Sequence, residues 1–191
     1  MQEKNIIIAG VGGQGLVLTT QIMAEAAFLA GFDVKTNDVI GLSQRGGKIW
    51  GSVRMGEKIH SPNIAPGEGD ILIAFEQLEG RRWRQMMKKG SIAIVNDYEI
   101  APALVQQGQT EYASDIIEEL QKNSTVTKIK ATEQAKTLGN TAVTNIIMLG
   151  AAAKHMDIPK EVWYESIRNN VPPKFKEMNI EAFNYGFSFE G

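Results

Sequence analysis

The stretch NIIIAGVGGQGLVLTTQ, residues 5–21, constrains the fold of this chain more than any other. It begins with a short apolar run that ends at Ala9, which is typical of a strand covered on both faces. Gly10, Gly12 and Gly15 follow in G-x-G-x-x-G spacing, and apolar residues then recur at helical intervals. The stretch therefore predicts a strand, a tight glycine loop and a helix, which together form the opening unit of an α/β sheet.

The rest of the chain continues this alternation with one interruption. Strands are predicted at 5–9, 32–36, 49–55, 58–61, 70–75, 91–95 and 125–131, and helices at 14–30, 77–88, 114–122 and 141–156, with another from 159 and a last segment at 174–189. The two-residue link Gly56-Glu57 predicts an antiparallel hairpin between the third and fourth strands. The predicted fold class is α/β, a three-layer, mostly parallel Rossmann-like sheet with a β-hairpin insertion.

The length and the net charge of the chain limit the kinds of binding partner that are expected. A chain of 191 residues is expected to form one domain over residues 1–191. Its 20 basic and 22 acidic residues give a net charge of -2, so no global positive field attracts nucleic acid. The apolar runs are shorter than the roughly 20 residues that cross a bilayer, and no leader pattern follows Met1, so no membrane partner and a cytoplasmic location are expected.

The absence of cysteine limits the chemistry. Without cysteine the chain has no disulfide, no thiolate nucleophile and no cysteine-ligated iron–sulfur cluster. The two histidines, His60 and His155, lack the spacing of metal ligands. We interpret both as structural, His60 at the end of a hairpin strand and His155 in the last turn of a helix, where the dipole favours a cation.

The glycine loop leaves two interpretations open. The amides of residues 13–15 would point out of the N-terminus of the following helix, where partial positive charge favours phosphate. An NAD site would also require an acid at the end of the second strand to bind the ribose. Asp33 stands at the start of that strand and Asp38 in the loop beyond it, so neither fits. A phosphate or nucleotide-like ligand and a purely structural turn remain the alternatives.

A second cluster, GLSQRGGK at residues 41–48, follows the second strand on the same predicted sheet edge. Arg45 and Lys48 would flank an anion, while Gly46 and Gly47 allow close approach of another backbone. The alternative is a flexible loop with a solvated arginine. The predicted ligand-contacting residues are Gly10, Gly12, Gly13, Gln14, Gly15, Ser43, Gln44, Arg45, Gly46, Gly47 and Lys48, and no catalytic or metal-ligating residue is proposed.

Two further groups of residues are assigned mainly structural roles. Asn140 and Asn145 could hydrogen-bond beside the glycine loop, but capping and support of a buried helix are favoured. The aromatic side chains Trp83, Trp163, Tyr164, Phe183 and Tyr185 are expected in the core and in a subunit interface.

Three motifs carry a family resemblance. The motifs GVGGQG at 10–15, SQRGG at 43–47 and GNTAVTNIIMLGA at 139–151 resemble the gamma-type subunit of 2-oxoacid:ferredoxin oxidoreductases. The resemblance covers nearly the whole chain. VIGLSQRGG, the following VRMG, SPNIAPGEGDILIAFEQLE and NIEAFNYG are most similar to the beta subunits of the family that act on indolepyruvate.

The resemblance implies a complex that decarboxylates a 2-oxoacid on thiamine pyrophosphate, passes two electrons through iron–sulfur clusters to ferredoxin and releases an acyl-coenzyme A. Thiamine pyrophosphate, Mg and the clusters belong to the partner catalytic subunit, and this chain binds no cofactor tightly. Coenzyme A is the implied co-substrate, with its phosphates at the glycine loop. The partner-facing surface implies self-association when the chain is expressed alone.

Two other classes of function remain open from the residues. The chain could be a free-standing nucleotide-binding oxidoreductase, in which case the isolated protein would bind a nicotinamide cofactor. It could also be a non-catalytic scaffold or ligand sensor, in which case the partner would work normally without it.

Overall fold

A computed structural model describes residues 2–39 and 48–191, with the backbone alone at 38, 39 and 48. The strands are β1 (Lys4–Val11), β2 (Asp33–Val39), β3 (Lys48–Gly56), β4 (Gly69–Ala74), β5 (Met87–Asn96) and β6 (Ser124–Ile129). The helices are α1 (Leu16–Leu29), α2 (Gln77–Trp83), α3 (Ala103–Gln106), α4 (Ile116–Gln121), α5 (Ala131–Thr137), α6 (Thr144–Ala153), α7 (Lys160–Asn170) and α8 (Lys176–Phe187). Short 3-10 turns lie at Arg84–Met86, Thr141–Val143 and Pro173–Phe175.

The strands form one sheet in the order β2-β3-β1-β4-β5-β6. The pairs β1–β4, β4–β5 and β5–β6 are parallel. Strand β3 is antiparallel to both β1 and β2, so among the described strands it alone runs in the opposite direction. The predicted α/β fold with a mostly parallel sheet is confirmed.

Both faces of the sheet are covered, which explains the unbroken apolar run of β1. Ile6 and Ile8 pack in one cluster with α1, α6, α7 and α8. Ile7 and Ala9, which alternate with them, pack in a second cluster with α2 and α4. All four side chains are buried, as expected for a central strand of a three-layer fold.

The predicted hairpin between 49–55 and 58–61 is wrong. Both edges of β3 are occupied by β1 and β2, so no edge remains for a strand at 58–61. That segment is held by side chains instead. Arg54 Nη1 donates to the Ser61 carbonyl at 3.1 Å, and the Ile59 amide donates to Asp33 Oδ2 at 2.7 Å. The antiparallel pairs of the described chain are β1–β3 and β2–β3.

Two predicted helices are interrupted. The helix predicted at 77–88 ends at Trp83, and after a 3-10 turn the chain enters β5 at Met87. Gly90, two residues beyond the predicted end of that helix, lies within β5 with φ of 80° and donates its amide to the Asn123 carbonyl at 2.7 Å. The long helix predicted at 141–156 consists of a 3-10 turn followed by α6.

Other boundaries differ by smaller amounts. Helix α4 begins at Ile116, two residues after the predicted start at 114, and its N-cap residue, Asp115, makes no side-chain capping hydrogen bond. Helix α5 was not predicted, because its polar sequence ATEQAKT shows no apolar stripe. None of the described helices combines the length and apolar character needed to cross a membrane.

The surroundings of His155 disfavour the cation that its predicted place in the last turn of a helix suggested. Burial lowers the pKa of its imidazole, and the nearby charges of Lys154 and Lys4 lower it further. Its Nε2 atom is buried and has no hydrogen-bond partner among the described residues. Desolvation therefore outweighs the helix dipole at this position.

The aromatic residues separate into different places. Trp163, Tyr164 and Phe183 lie together, with the Trp163 and Phe183 rings 5.9 Å apart, and Phe187 extends the group. Trp83 lies elsewhere and packs on Trp50 with ring centroids 4.6 Å apart. The core assignment is confirmed for Trp163 and Phe183, which are fully buried.

Helices α6 and α8 approach each other through glycine. A Cβ atom on Gly150 would lie 2.2 Å from the Phe183 carbonyl oxygen, and one on Gly186 would lie 1.9 Å from the Ile147 carbonyl oxygen. Neither distance is possible for a real side chain, so the close packing of this helix pair requires glycine at both positions.

Candidate ligand-binding site

A crevice in the sheet lies between the carboxyl ends of β1 and β4. Helix α1, which follows β1, packs on one face, whereas α2, which follows β4, packs on the other. Neighbouring parallel strands whose following helices diverge in this way leave a crevice at their carboxyl ends, where open α/β sheets bind ligands. The glycine loop lies at this edge.

The loop ends in an uncapped helix. Gly13 and Gly15 have φ of 98° and 81°, which only glycine adopts easily, as the motif predicts. Gly15 is the N-cap residue of α1 and has no side chain to cap the first turn, which also lacks acidic residues. The 14-residue helix therefore directs its partial positive charge towards the crevice.

Gln14 fixes the loop to two strands. Its amide nitrogen donates to the Val11 carbonyl at 3.2 Å, and its Oε1 accepts from the Val11 amide at 2.7 Å. Its Nε2 donates to the Phe75 carbonyl at 3.2 Å, just beyond β4. The side chain thus has internal partners at both ends, and a direct contact of Gln14 with ligand stays a prediction.

Gly10 is required by packing at the base of the same loop. A Cβ atom there would lie 2.7 Å from Gln14 Oε1 and 3.1 Å from Phe75 Cβ. The first glycine of the motif therefore admits the Gln14 side chain.

A buried asparagine extends this network to the neighbouring strands. Asn96, the last residue of β5, donates from Nδ2 to the Phe75 carbonyl at 3.1 Å and to Thr132 Oγ1 at 2.9 Å. The Phe75 carbonyl thus accepts from both Gln14 and Asn96. The sequence analysis missed Asn96, although a polar residue directly after the apolar run IAIV is a recognisable signal for this edge.

A cavity of about 380 Å³ opens between the glycine loop and the start of α6. Its walls combine the loop backbone, hydroxyl groups and a few apolar surfaces, and none of the described residues that line it is charged. The lining residues are Gly13, Gln14, Gly15, Leu18, Tyr98, Thr132, Thr141, Ala142, Thr144 and Asn145. Its volume falls at the small end of the range for ligand pockets.

The two asparagines near α6 have different roles. Asn140 Oδ1 accepts from the Ala142 amide at 3.0 Å and caps the 3-10 turn, which confirms its predicted role. Asn145 is only 2% exposed and donates from Nδ2 to the Gly15 carbonyl at 3.3 Å. Thus Asn145 supports the loop and also lines the cavity.

The second predicted cluster lies mostly outside the described residues. This applies to Ser43, Gln44, Arg45, Gly46 and Gly47, whose predicted contacts stay predictions. The backbone of Lys48 pairs with Val11, the last residue of β1, so the described chain re-enters the sheet beside the glycine loop.

On the far side of the crevice, Glu76 holds α2 in place. Its carboxylate accepts from the Glu79 amide at 2.9 Å and the Ile100 amide at 3.1 Å, and from the hydroxyl of Tyr112. Burial raises the pKa of the Tyr112 hydroxyl, and the hydrogen bond to Glu76 raises it further. The Glu76 carboxylate therefore has several internal donors and a structural role.

Asp33 is placed as the sequence suggested, away from this edge. It opens β2 at the opposite end of the sheet, where the hydrogen bond from Lys35 Nζ lowers the pKa of its carboxyl. It therefore cannot bind a ribose at the glycine loop. No group of three acidic or histidine side chains within the described residues is arranged to hold a metal ion.

Comparisons with known proteins identify the family. The model of the family described as "Pyruvate ferredoxin/flavodoxin oxidoreductase" matches residues 5–189. The chain is 33% identical to indolepyruvate oxidoreductase subunit IorB of Pyrococcus horikoshii, over 97% of this chain and 95% of that protein.

Solved structures agree with this match. The gamma subunit of a keto/oxoacid ferredoxin oxidoreductase from Geobacter sulfurreducens has a TM-score of 0.72 at 27% identity, over 96% of both chains. The 2-oxoglutarate:ferredoxin oxidoreductase of Magnetococcus marinus, solved with 2-oxoglutarate, coenzyme A and succinyl-CoA, has a TM-score of 0.79 at 21% identity. That alignment covers 98% of this chain and 31% of the other, and it shows the fold alone. The resemblance to gamma-type subunits is confirmed, and the chain belongs to the pyruvate ferredoxin/flavodoxin oxidoreductase family.

Proposed function

We propose that this chain is the subunit without thiamine or clusters in a cytoplasmic 2-oxoacid:ferredoxin oxidoreductase complex. The substrate is indolepyruvate or another aryl pyruvate. The reaction combines the 2-oxoacid with coenzyme A, releases CO₂ and passes two electrons to ferredoxin, which yields an acyl-coenzyme A. The proposal rests on one observation: the sequence of this chain is 33% identical to that of an IorB subunit along nearly the full length of both proteins.

The composition supports a division of labour between subunits. The chain has no cysteine to ligate an iron–sulfur cluster. A partner subunit would therefore hold the clusters together with thiamine pyrophosphate and Mg, and ferredoxin would dock through that partner. Thiamine pyrophosphate supplies the carbanion chemistry when bound, so the residues of this chain need only bind, orient and shield.

The crevice supports a role in binding coenzyme A. The backbone of Gly12, Gly13 and Gly15 contacts a phosphate at the uncapped end of α1, where partial positive charge is directed. Arg45 and Lys48 neutralise phosphate or contact the partner, with Ser43 and Gln44 positioning their segment. The Magnetococcus enzyme with the same fold was solved with coenzyme A bound, which motivates this assignment.

The test is purification of the native complex through a tag on this chain. The expected result is a co-purifying subunit that contains thiamine and iron–sulfur clusters. The complex should reduce a viologen dye when supplied with indolepyruvate and coenzyme A, and more slowly with 2-oxoglutarate or pyruvate. The control is the isolated chain, which should show no turnover.

Three outcomes would overturn the proposal. A partner without thiamine or clusters would remove the assigned reaction. Nicotinamide-dependent turnover by the isolated chain would indicate a free-standing oxidoreductase. Full activity of the partner without this chain would indicate a scaffold.

A further inference from the structure

Tyr98 brings an exposed aromatic side chain to the cavity beside the glycine loop. It is the one aromatic residue among the described residues that line this cavity, and it is 39% exposed. Its amide donates to the Asn96 carbonyl at 2.8 Å, and its carbonyl accepts from the Gln77 amide at 3.2 Å. Because both backbone polar groups have partners, the surface that Tyr98 exposes lies chiefly on its ring. Aromatic side chains that line a concave pocket commonly contact the ligand.

Hydrogen bonds fix the position of Tyr98 relative to the loop. Asn96, whose carbonyl accepts from the Tyr98 amide, donates from Nδ2 to the Phe75 carbonyl at 3.1 Å. The same carbonyl accepts from Gln14 Nε2 at 3.2 Å. A ligand that contacts both the loop and Tyr98 therefore meets a preorganised site, which lowers the entropic cost of binding.

The lining of the cavity favours an uncharged part of the ligand. None of the described residues that line it is charged, and Thr132, Thr141 and Thr144 supply hydroxyl groups. Placing a phosphate among uncharged groups is costly, so a phosphorylated ligand keeps its phosphates at the loop and inserts a neutral group. Coenzyme A offers two neutral parts, the adenine base and the pantetheine arm.

We propose that Tyr98 is a specificity-determining residue whose ring stacks on the base of the ligand, so that the cavity takes the adenine end of coenzyme A. This inference rests on the proposed function, which supplies coenzyme A as the ligand. An aromatic ring stacks on the face of a nucleobase, whereas the pantetheine arm has no ring to stack.

The chemistry of coenzyme A favours the same orientation. The molecule reacts through the sulfur at the end of its pantetheine arm, and in the proposed complex this sulfur has to reach thiamine pyrophosphate on the partner subunit. The arm must therefore extend out of the cavity towards the partner. The nucleotide end is the end that this chain retains.

The experiment measures calorimetric affinities of the purified complex for the two halves of the ligand, adenosine 3′,5′-bisphosphate and 4′-phosphopantetheine. The wild type is compared with Tyr98→Ala, which removes the ring, and Tyr98→Phe, which keeps the ring and removes the hydroxyl. The matched control is Leu104→Ala, at a residue that follows β5 in the same segment, is 55% exposed and lies outside the cavity lining.

Tyr98→Ala should bind adenosine 3′,5′-bisphosphate about tenfold more weakly, which is the order of effect expected when a stacking ring is removed. Tyr98→Phe and Leu104→Ala should stay within twofold of the wild type. No variant should change the affinity for 4′-phosphopantetheine. The Michaelis constant for coenzyme A should rise about tenfold in Tyr98→Ala, with turnover at saturating coenzyme A unchanged, because Tyr98 does not contact the reacting sulfur.

The proposal is overturned if Tyr98→Ala binds the nucleotide within twofold of the wild type, or if Tyr98→Phe binds it as weakly as Tyr98→Ala. A loss of affinity for 4′-phosphopantetheine in Tyr98→Ala would place the other half of coenzyme A in the cavity and overturn it too. So would a wild-type complex that does not bind the nucleotide at millimolar concentration. If Tyr98→Ala does not fold, Tyr98→Leu, which keeps apolar bulk without a ring, replaces it with the same outcomes. Dye reduction by the wild-type complex tests the proposed function separately, so either can fail while the other stands.

Discussion

Asn145 donates a hydrogen bond to the carbonyl of Gly15 across 130 residues of chain. The same carbonyl accepts from the amide and from the hydroxyl of Thr19, both at 3.1 Å. The Gly15 carbonyl oxygen therefore connects the N-terminus of α1 to the Asn145 side chain on α6. The geometry of the glycine loop depends on this junction as well as on the loop's own sequence.

Gly15→Ala should destabilise the chain more than Gly13→Ala. Both positions have positive φ, which costs an alanine about 1–2 kcal/mol. At Gly15 the new Cβ would also lie 2.6 Å from Asn145 Nδ2, whereas no atom lies within 4 Å at Gly13. Overpacking adds about 1–3 kcal/mol for Gly15→Ala alone. Urea denaturation of both variants measures the difference, and equal midpoints would contradict the contact.

Gly186→Ala should strongly destabilise the packing of α8 on α6. Alanine favours a helix by about 1 kcal/mol over glycine, but its Cβ would lie 1.9 Å from the Ile147 carbonyl. The clash should dominate, with a net loss of about 1–3 kcal/mol or more. The matched control is Gly80→Ala in α2, whose Cβ would come no closer than 3.0 Å to Ala74. Thermal unfolding checks the order, and a stabilised Gly186→Ala would show that the helices pack differently.

Tyr112→Phe should destabilise the buried end of α2. The Tyr112 hydroxyl donates to Glu76 and accepts from the Leu78 amide at 3.2 Å. Its loss removes one donor from a buried carboxylate, at a cost of about 1–3 kcal/mol. Tyr185→Phe, at a residue that is 37% exposed, is the control and should change little. Chemical denaturation at neutral pH is the measurement, and equal stability of the two variants would show that Glu76 does not need Tyr112.

His155 should make the fold less stable in mild acid. Because burial lowers its pKa in the folded chain below the ordinary value of 6.5, the unfolded chain binds the proton more readily. Above pH 6.5, the ordinary pKa, the imidazole is neutral in both states and the fold keeps its full stability. This stability is lost as the pH falls from 6.5 towards the lower pKa that His155 has in the folded chain. Denaturation midpoints at pH 7.5 and 5.5 should differ less in His155→Gln than in the wild type. The exposed, non-titrating variant Ser188→Ala should behave as wild type, and an unchanged pH dependence in His155→Gln would refute the assignment.

Arg45→Ala tests the second predicted cluster in the assembled complex. A charge-assisted hydrogen bond of about 1.5–3 kcal/mol corresponds to a ten- to hundredfold loss in coenzyme A use or subunit affinity. Arg45→Lys should recover only part, since an ammonium cannot form a two-bond fork. Lys89→Ala, which removes an exposed cation at the start of β5, is the matched control. If Arg45→Ala keeps the wild-type coenzyme A use and the wild-type subunit affinity, the cluster has no binding role.

The sequence predicted the sheet and its binding edge better than it predicted the irregular connections. The alternating elements and the glycines of the loop follow from local residue patterns, which single sequences reveal. The hairpin prediction failed because Gly56-Glu57 resembles a tight turn, whereas the pairing of β3 with β1 and β2 is a long-range property. That residues 1–191 form a single domain stays a prediction.

The chemistry of the site was less accessible from the sequence. Gln14 belongs to the motif, but its contact with Phe75 joins residues 61 positions apart. Asn145 was noticed as a neighbour of the loop, yet only the packing around it shows that its Oδ1 atom is buried and has no partner among the residues that the structure describes. His155 shows the same limit, because burial decides its charge and the helix pattern does not report burial.

The position of β1 in the sheet also bears on how the protein is made. β1 leaves the ribosome before its two partners, β3 and β4, which are synthesised dozens of residues later. Until residue 74 has emerged, the apolar run of β1 lacks one of its flanking strands. The nascent chain therefore carries an unpaired, aggregation-prone segment, and the centre of the sheet closes only when β4 has been synthesised.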